Sequence, residues 1–173
     1  MIDALKQNRA AWLAAGVLLG LAAGGLLPHS PAHAVATDRM GDFAIATGPL
    51  DSDIEAIYFL DCLTGDLRAA VLNLYTWKFG AIFETNVIFD LGVDPAKNPR
   101  YLLVTGNAQL KKNLGPITPA DSAVYVAELT SGKIAAYIVP WSQAMSNSRL
   151  PPSGRLMMVD TMKFRTAPIR DED

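Results

Sequence analysis

The sequence predicts a mainly β protein: an N-terminal hydrophobic helix, then one antiparallel β domain. Three observations predict it. Short runs rich in Val, Ile, Tyr and Phe recur from residue 42 onward, each bounded by Gly, Pro, Asp or Asn, which is the strand signature. The stretch IYFLDCLTGDLRAAVL (57–72) returns without a gap as VYVAELTSGKIAAYIV (124–139). Ahead of both lies an uncharged run, AAWLAAGVLLGLAAGGLL (10–27).

The N-terminal region comes first. MIDALKQNR carries Lys6 and Arg9 against Asp3, and PHSPAHAVA follows the apolar run, with Pro28 and Pro31 breaking a helix there. A positive start, an apolar centre and a small-x-small site are the parts of an export signal. Ala32-His33-Ala34 and Ala34-Val35-Ala36 both suit cleavage. Read as a helix instead, the run spans about 27 Å at ~1.5 Å per residue, enough for a retained membrane anchor. Gly16, Gly20 and Gly24 then share one face, the close-approach pattern of paired helices. Residues 1–36 are thus a signal peptide or an anchor. Both readings put the rest of the chain across the membrane, in the periplasm, with the positive N-terminus left inside.

The β domain is expected over 37–166, with pseudo-repeats at 42–73 and 100–140 and a charged C-terminal tail at 167–173. Each copy of the repeated stretch reads as a hairpin. Gly65 and Gly132 hold matching places, where the loop needs a left-handed residue. Thr64 and Ser131 precede them and can bond back to the turn. A leading strand comes before each hairpin: Ala46-Thr47-Gly48 is echoed by Val104-Thr105-Gly106, with an insertion in NAQLKKNLGPITPAD. Ile57 and Phe59 share one strand face, and Ala56, Tyr58 and Leu60 the other, so cover on both sides is expected. RLMMVDTMKF (155–164) reads as a closing strand for the first unit's sheet. Phe79, Ile82, Phe83, Asn86, Val87 and Asp90 follow helical spacing, which predicts a short helix near 79–91, although alternation also fits in part.

The hairpin IYFLDCLTGDLRAAVL resembles the tyrosine–Asp–x–x–Thr–Gly hairpin of quinoprotein-type β-propeller blades. That family's tryptophan after the second strand is replaced by Asn73 in the first copy, and in the second Trp141 comes late, after Pro140. The resemblance implies a hairpin and no cofactor. Two hairpins in about 130 residues cannot close a ring of blades, so a propeller-like or sandwich-like sheet is expected. PHSPAHAVATDR, FAIATGPLD, NPRYLLVTG and VYVAELTSGKIAAYIVPW also resemble a family of small exported or membrane-anchored proteins of planctomycete-type bacteria. That resemblance implies an envelope location and brings no activity.

The chemistry on offer is sparse. A net charge of −2 leaves no basic footprint for nucleic acid. The single cysteine, Cys62, cannot form an intramolecular disulfide, and its only cationic neighbour in sequence is Arg68. The two histidines, His29 and His33, sit in the leader, so cleavage would leave no imidazole base. Asp51, Asp53 and Glu55 alternate, and on a strand they would present three carboxylates to a hard cation, but without an EF-hand's glycine and distal glutamate. Asp90 and Asp94 lie near Glu84 without a spacing that fixes a pair. Lys111, Lys112 and Arg100 form a small positive patch, and Trp77 and Trp141 suit a small β core. The function expected is a non-enzymatic, envelope-facing structural or protein-interaction module without cofactor. Its partners would be the membrane, through the N-terminal segment, and a protein or a second copy. The alternative is an envelope hydrolase or carbohydrate-binding protein using Asp51, Asp53 or Asp90.

Overall fold

The computed structural model describes residues 12–20, 37–111 and 118–165. The chain forms two units, Met1–His33 and Ala34–Asp173. In the first, residues 12–20 are helical (α1), with exposed side chains and open space around Gly16 and Gly20. Among the described residues no helix is long and apolar enough to cross a membrane. Gly24, both cleavage sites, half of the run 10–27 and the tail 167–173 lie outside the described residues.

The second unit is two sheets. The first takes β1 (Thr37–Met40), β2 (Phe43–Pro49), β3 (Glu55–Asp61), β4 (Asp66–Leu72) and β5 (Phe79–Asn86) in chain order, then β9 (Gly154–Arg155). The second takes β6 (Tyr101–Asn107), β7 (Pro119–Glu128), β8 (Lys133–Pro140) and β10 (Met157–Lys163), one beside the next. All pairs are antiparallel except β5 with β9. Two short helices, α2 (Val87–Leu91) and α3 (Gln143–Ser146), complete it.

Period-two burial explains why these segments pair face inward. Ala56, Tyr58 and Leu60 of β3, Leu67, Ala69 and Val71 of β4, and Ala81 and Phe83 of β5 are buried. So are Tyr101 and Leu103 of β6, Val124 and Val126 of β7, and Ala135, Tyr137 and Val139 of β8, in one shared core. Tyr58 lies between Ala46 and Ala69 across its two neighbours, so a large ring is set beside small residues. The sheets meet where β2 approaches β6. The Thr105 hydroxyl donates to the Thr47 carbonyl, and a Cβ on Gly48 would lie 3.0 Å from Ser122 Oγ.

Both hairpins close alike. Gly65 N–H donates to the Asp61 carbonyl at 2.8 Å and Gly132 N–H to the Glu128 carbonyl at 3.0 Å, with φ of 73° and 68° at the glycines. Each glycine carbonyl then accepts from the residue that follows another strand of its sheet, Val87 after β5 in the first and Phe164 after β10 in the second. The leading strands share a register: Thr47 faces Ile57 as Thr105 faces Val124.

Three expectations need correction. Residues 79–86 are a strand, and only Val87–Leu91 is helical, because the Asn86 side chain caps Ile88 and Phe89 N–H and Gly92 stops the helix at φ 58°. The C-terminal strand completes the second sheet, against β8, and only Gly154–Arg155 reaches the first. Nor are the strands covered on both sides: Phe59, Leu102 and Val104 stand exposed on outer faces.

Candidate functional site

The acidic stretch does not form a strand. Asp51 and Asp53 lie in the bend between β2 and β3, and only Glu55 belongs to β3. Asp51 Oδ1 accepts from Asp53 N–H at 3.1 Å, and its Oδ2 takes the Ser146 hydroxyl. Ser146 in turn accepts from Trp141 Nε1 at 2.8 Å. This relay ties the bend to α3 and to the buried Trp141, which packs edge-on to Phe83. Among the described residues no three acidic, histidine or cysteine side chains gather as a metal-holding group.

Asp90 sits on α2 at the opposite end of the first sheet. Its Oδ2 accepts from Thr85 Oγ1 at 2.8 Å, and its Oδ1 faces Arg155 Nη2 at 3.4 Å. Carboxylate, hydroxyl and guanidinium together pin α2 to β5 and β9. The Tyr137 phenol is pushed above its ordinary range, first by burial and then by Asp90. Tyr101 is pushed up to about 12, by burial and then by Glu128. Among the described residues the Tyr101 hydroxyl has no hydrogen-bond partner. Tyr58, also raised to about 12 by burial, does have one, since its hydroxyl lies 3.4 Å from Ser122 Oγ. Asp94 caps Ala96 N–H, and Glu84 pairs with Arg68 on the surface. Asp51 and Asp90 thus lie at opposite ends of the first sheet, each with its own partners, and Asp53 N–H is bonded to Asp51.

Cys62 is buried in the first hairpin turn. Burial pushes its thiol up; Arg39 opposes this, and Asp42 and Asp61 add to it. The nearby cation is Arg39 of β1, whose Nη1 also donates to the Tyr101 carbonyl, and not the sequence neighbour Arg68. Such a thiol is a weak nucleophile at neutral pH.

The least neutral part of the surface is apolar. Across the outer face of the second sheet, Leu102, Ala127, Ile134 and Met162 stand in one row, and Val104, Tyr125, Ala136 and Asp160 in the next. Asp160 is the only charge in these rows. The matching row of the first sheet reads Ile45, Phe59, Arg68, Glu84, with Asp61 beside Phe43. A second apolar feature is the loop 73–78, where Trp77 is 84% exposed and not in the core as expected.

Sequence reasoning missed several working residues. Glu128 is fully buried and accepts from the N–H groups of Arg100, Thr130 and Ser131. Asp61 accepts from Leu63 and Thr64 at the same place in its own turn. The shared acid in IYFLD and VYVAE was the available signal. Asn73, Thr85 and Arg155 left none. Among known proteins, no protein-family model, no curated protein and no solved structure matches this chain.

Proposed function

We propose that the chain is a non-enzymatic protein-interaction module of the cell envelope. It is exported, then either held at the inner membrane by residues 10–27 or released into the periplasm. The β domain presents a surface for a protein partner. One observation carries the reading: the outer face of the second sheet is two rows of apolar side chains with one charge, and Leu102, Val104 and Met162 are about half exposed or more. Monomers rarely leave such a face contiguous and bare. We also read the domain as two copies of one unit. In support, the hairpin glycines, their carbonyl partners and the strand register correspond between the sheets.

The test is site-specific photocrosslinking in intact cells. A crosslinker at Val104 or Met162 should capture a discrete protein band. One at Arg68, on the first sheet's outer face, should not. Equal or absent capture at both faces would refute the assignment. Val104→Glu should abolish the band while leaving the melting temperature within a few degrees, because the side chain is already half exposed.

A further inference from the structure

Beyond a protein-binding sheet face, the loop between β4 and β5 has a design of its own. Residues 72–79 read LNLYTWKF. Leu74, Tyr75, Trp77 and Phe79 are all exposed, and Leu150 on the adjoining loop is 85% exposed. Exposed apolar side chains occur elsewhere in the domain too, but here five bulky ones gather on two adjoining loops.

The tip is rigidly held. Asn73 is buried, and its Oδ1 accepts from the N–H groups of Tyr75 and Thr76 at 2.9 and 3.0 Å. Its Nδ2 donates to the Ser148 carbonyl at 2.8 Å, fastening the loop to 147–153. Its backbone N–H donates to the Lys78 carbonyl and its carbonyl accepts from Trp77 N–H. Trp77 takes φ of 57°, one of two non-glycine residues at positive φ among the described residues. A bulky residue in that conformation costs free energy, and such costs cluster at functional sites. The backbone is spent on pointing an indole outward.

Composition identifies the occupant. Trp and Tyr with Leu and Phe are the side chains that settle at a membrane–water boundary, with polar edges among headgroups and apolar bodies below. Lys78 and Arg149 flank them, and neither 72–79 nor 147–155 contains a carboxylate; the acids at this end of the sheet are Asp51 and Asp53 of the β2–β3 bend, with Asp51 bonded to Ser146, and Glu55 at the start of β3. Cations beside exposed aromatics complement anionic lipid headgroups. We propose that the 73–78 loop, with Leu150, docks this β domain onto an anionic lipid surface, Trp77 and Tyr75 entering the interface and Lys78 and Arg149 meeting the headgroups. This contact is separate from any N-terminal anchor.

Trp77 supplies the readout. In full-length protein carrying Trp12→Phe, Trp77 is the exposed tryptophan and Trp141 stays buried. Vesicles with 30 mol% phosphatidylglycerol should blue-shift its emission, and brominated acyl chains should quench it. Pure phosphatidylcholine should do so far less. Lys78→Ala and Arg149→Ala should each weaken the response about fivefold. Tyr75→Ser, which leaves the reporter in place and replaces an exposed side chain, should weaken the response without lowering the melting temperature. An unshifted, unquenched Trp77 on vesicles that carry the full-length chain would overturn the proposal, since an anchor alone would then be responsible. A blue shift that grows with protein concentration without lipid would also overturn it, assigning the tip to a second copy. Equal quenching in neutral and anionic vesicles would remove the electrostatic half and with it the stated ligand.

Discussion

The two hairpin turns share a backbone plan and differ in how their acid is used. In the first, Asp61 is partly exposed and accepts two turn N–H groups. In the second, Glu128 has one more methylene, is fully buried, and accepts three, one of them from Arg100 ahead of β6. The first turn is closed against α2, through Ile88 over Gly65. The second is closed against Phe164 and Arg165, past the last strand, while Lys133 Nζ donates to the Leu91 carbonyl at the end of α2. Where a helix covers the turn, the acid is a local cap. Where the chain past the last strand lies over the glycine instead, the acid reaches out to the start of the neighbouring strand. The lesson is that one loop geometry leaves room for two different ways of anchoring a sheet's end.

That comparison can be broken in several ways. The largest effect should come from Glu128→Ala, which strands three donors; we expect a loss on the order of 4 kcal/mol, against about 1 kcal/mol for Asp61→Ala. Urea unfolding would check this, and equal losses would show that the third bond is idle. Next, Gly65→Val should lose roughly 3 kcal/mol and Gly132→Val roughly 2 kcal/mol. Both place a β-branched residue at positive φ. At Gly65 the new Cβ would meet Ile88 Cγ1 at 2.6 Å in the core, whereas at Gly132 it would meet Arg165 Cβ on exposed chain. The reverse order in thermal melts would mean that Arg165 is the firmer wall.

Acid sensitivity sharpens the contrast. Burial pushes the Glu128 carboxyl up, but hydrogen bonds from Ser131 and Thr130 outweigh it and leave the group below its ordinary value of 4.5. A carboxyl depressed by folding contributes stability above its unfolded pKa and loses it as pH falls through the folded value. Wild type should therefore lose more stability than Glu128→Gln between pH 5 and about 3; parallel losses would place the acid sensitivity elsewhere. The smallest effect is expected from the Arg68–Glu84 pair on the first sheet's outer face. At 3.5 Å and well exposed, it should couple by about 0.5 kcal/mol or less in a double-mutant cycle.

Much of the hairpin plan was legible because turns are local: Asp61 to Asp66 and Glu128 to Lys133 carry their own glycine, acid and hydroxyl. Pairing across the domain was not. Ala81, Phe83 and Thr85 alternate inward, but Ala81 and Thr85 are too small and too polar to outweigh the helical spacing of Phe79, Ile82 and Phe83. RLMMVDTMKF reads as a strand without naming its neighbour; only the register of Lys163 opposite Lys133 shows it. The alternation of Asp51, Asp53 and Glu55 misled because it falls on a bend, where alternation has no meaning for sidedness. The exposure of Trp77 depends on Asn73, whose bonds to Tyr75 and Thr76 are local but whose bond to the Ser148 carbonyl is a tertiary contact that no local pattern announces.

The stretch from Gly154 to Arg165 touches both sheets in passing. Gly154 and Arg155 lie along β5, Leu156 is fully buried, and β10 then runs along β8. A chain made from its N-terminus builds eight of these strands before that stretch exists. Until it arrives, β5 and β8 each offer a bare ribbon of peptide groups to any passing strand, including one from another nascent copy. The same interval keeps the chain incompletely folded, a state compatible with threading through a translocation channel. A nick between Ser153 and Gly154 would loosen the cover of both ribbons at once, so a single cut there should make the domain more prone to aggregate.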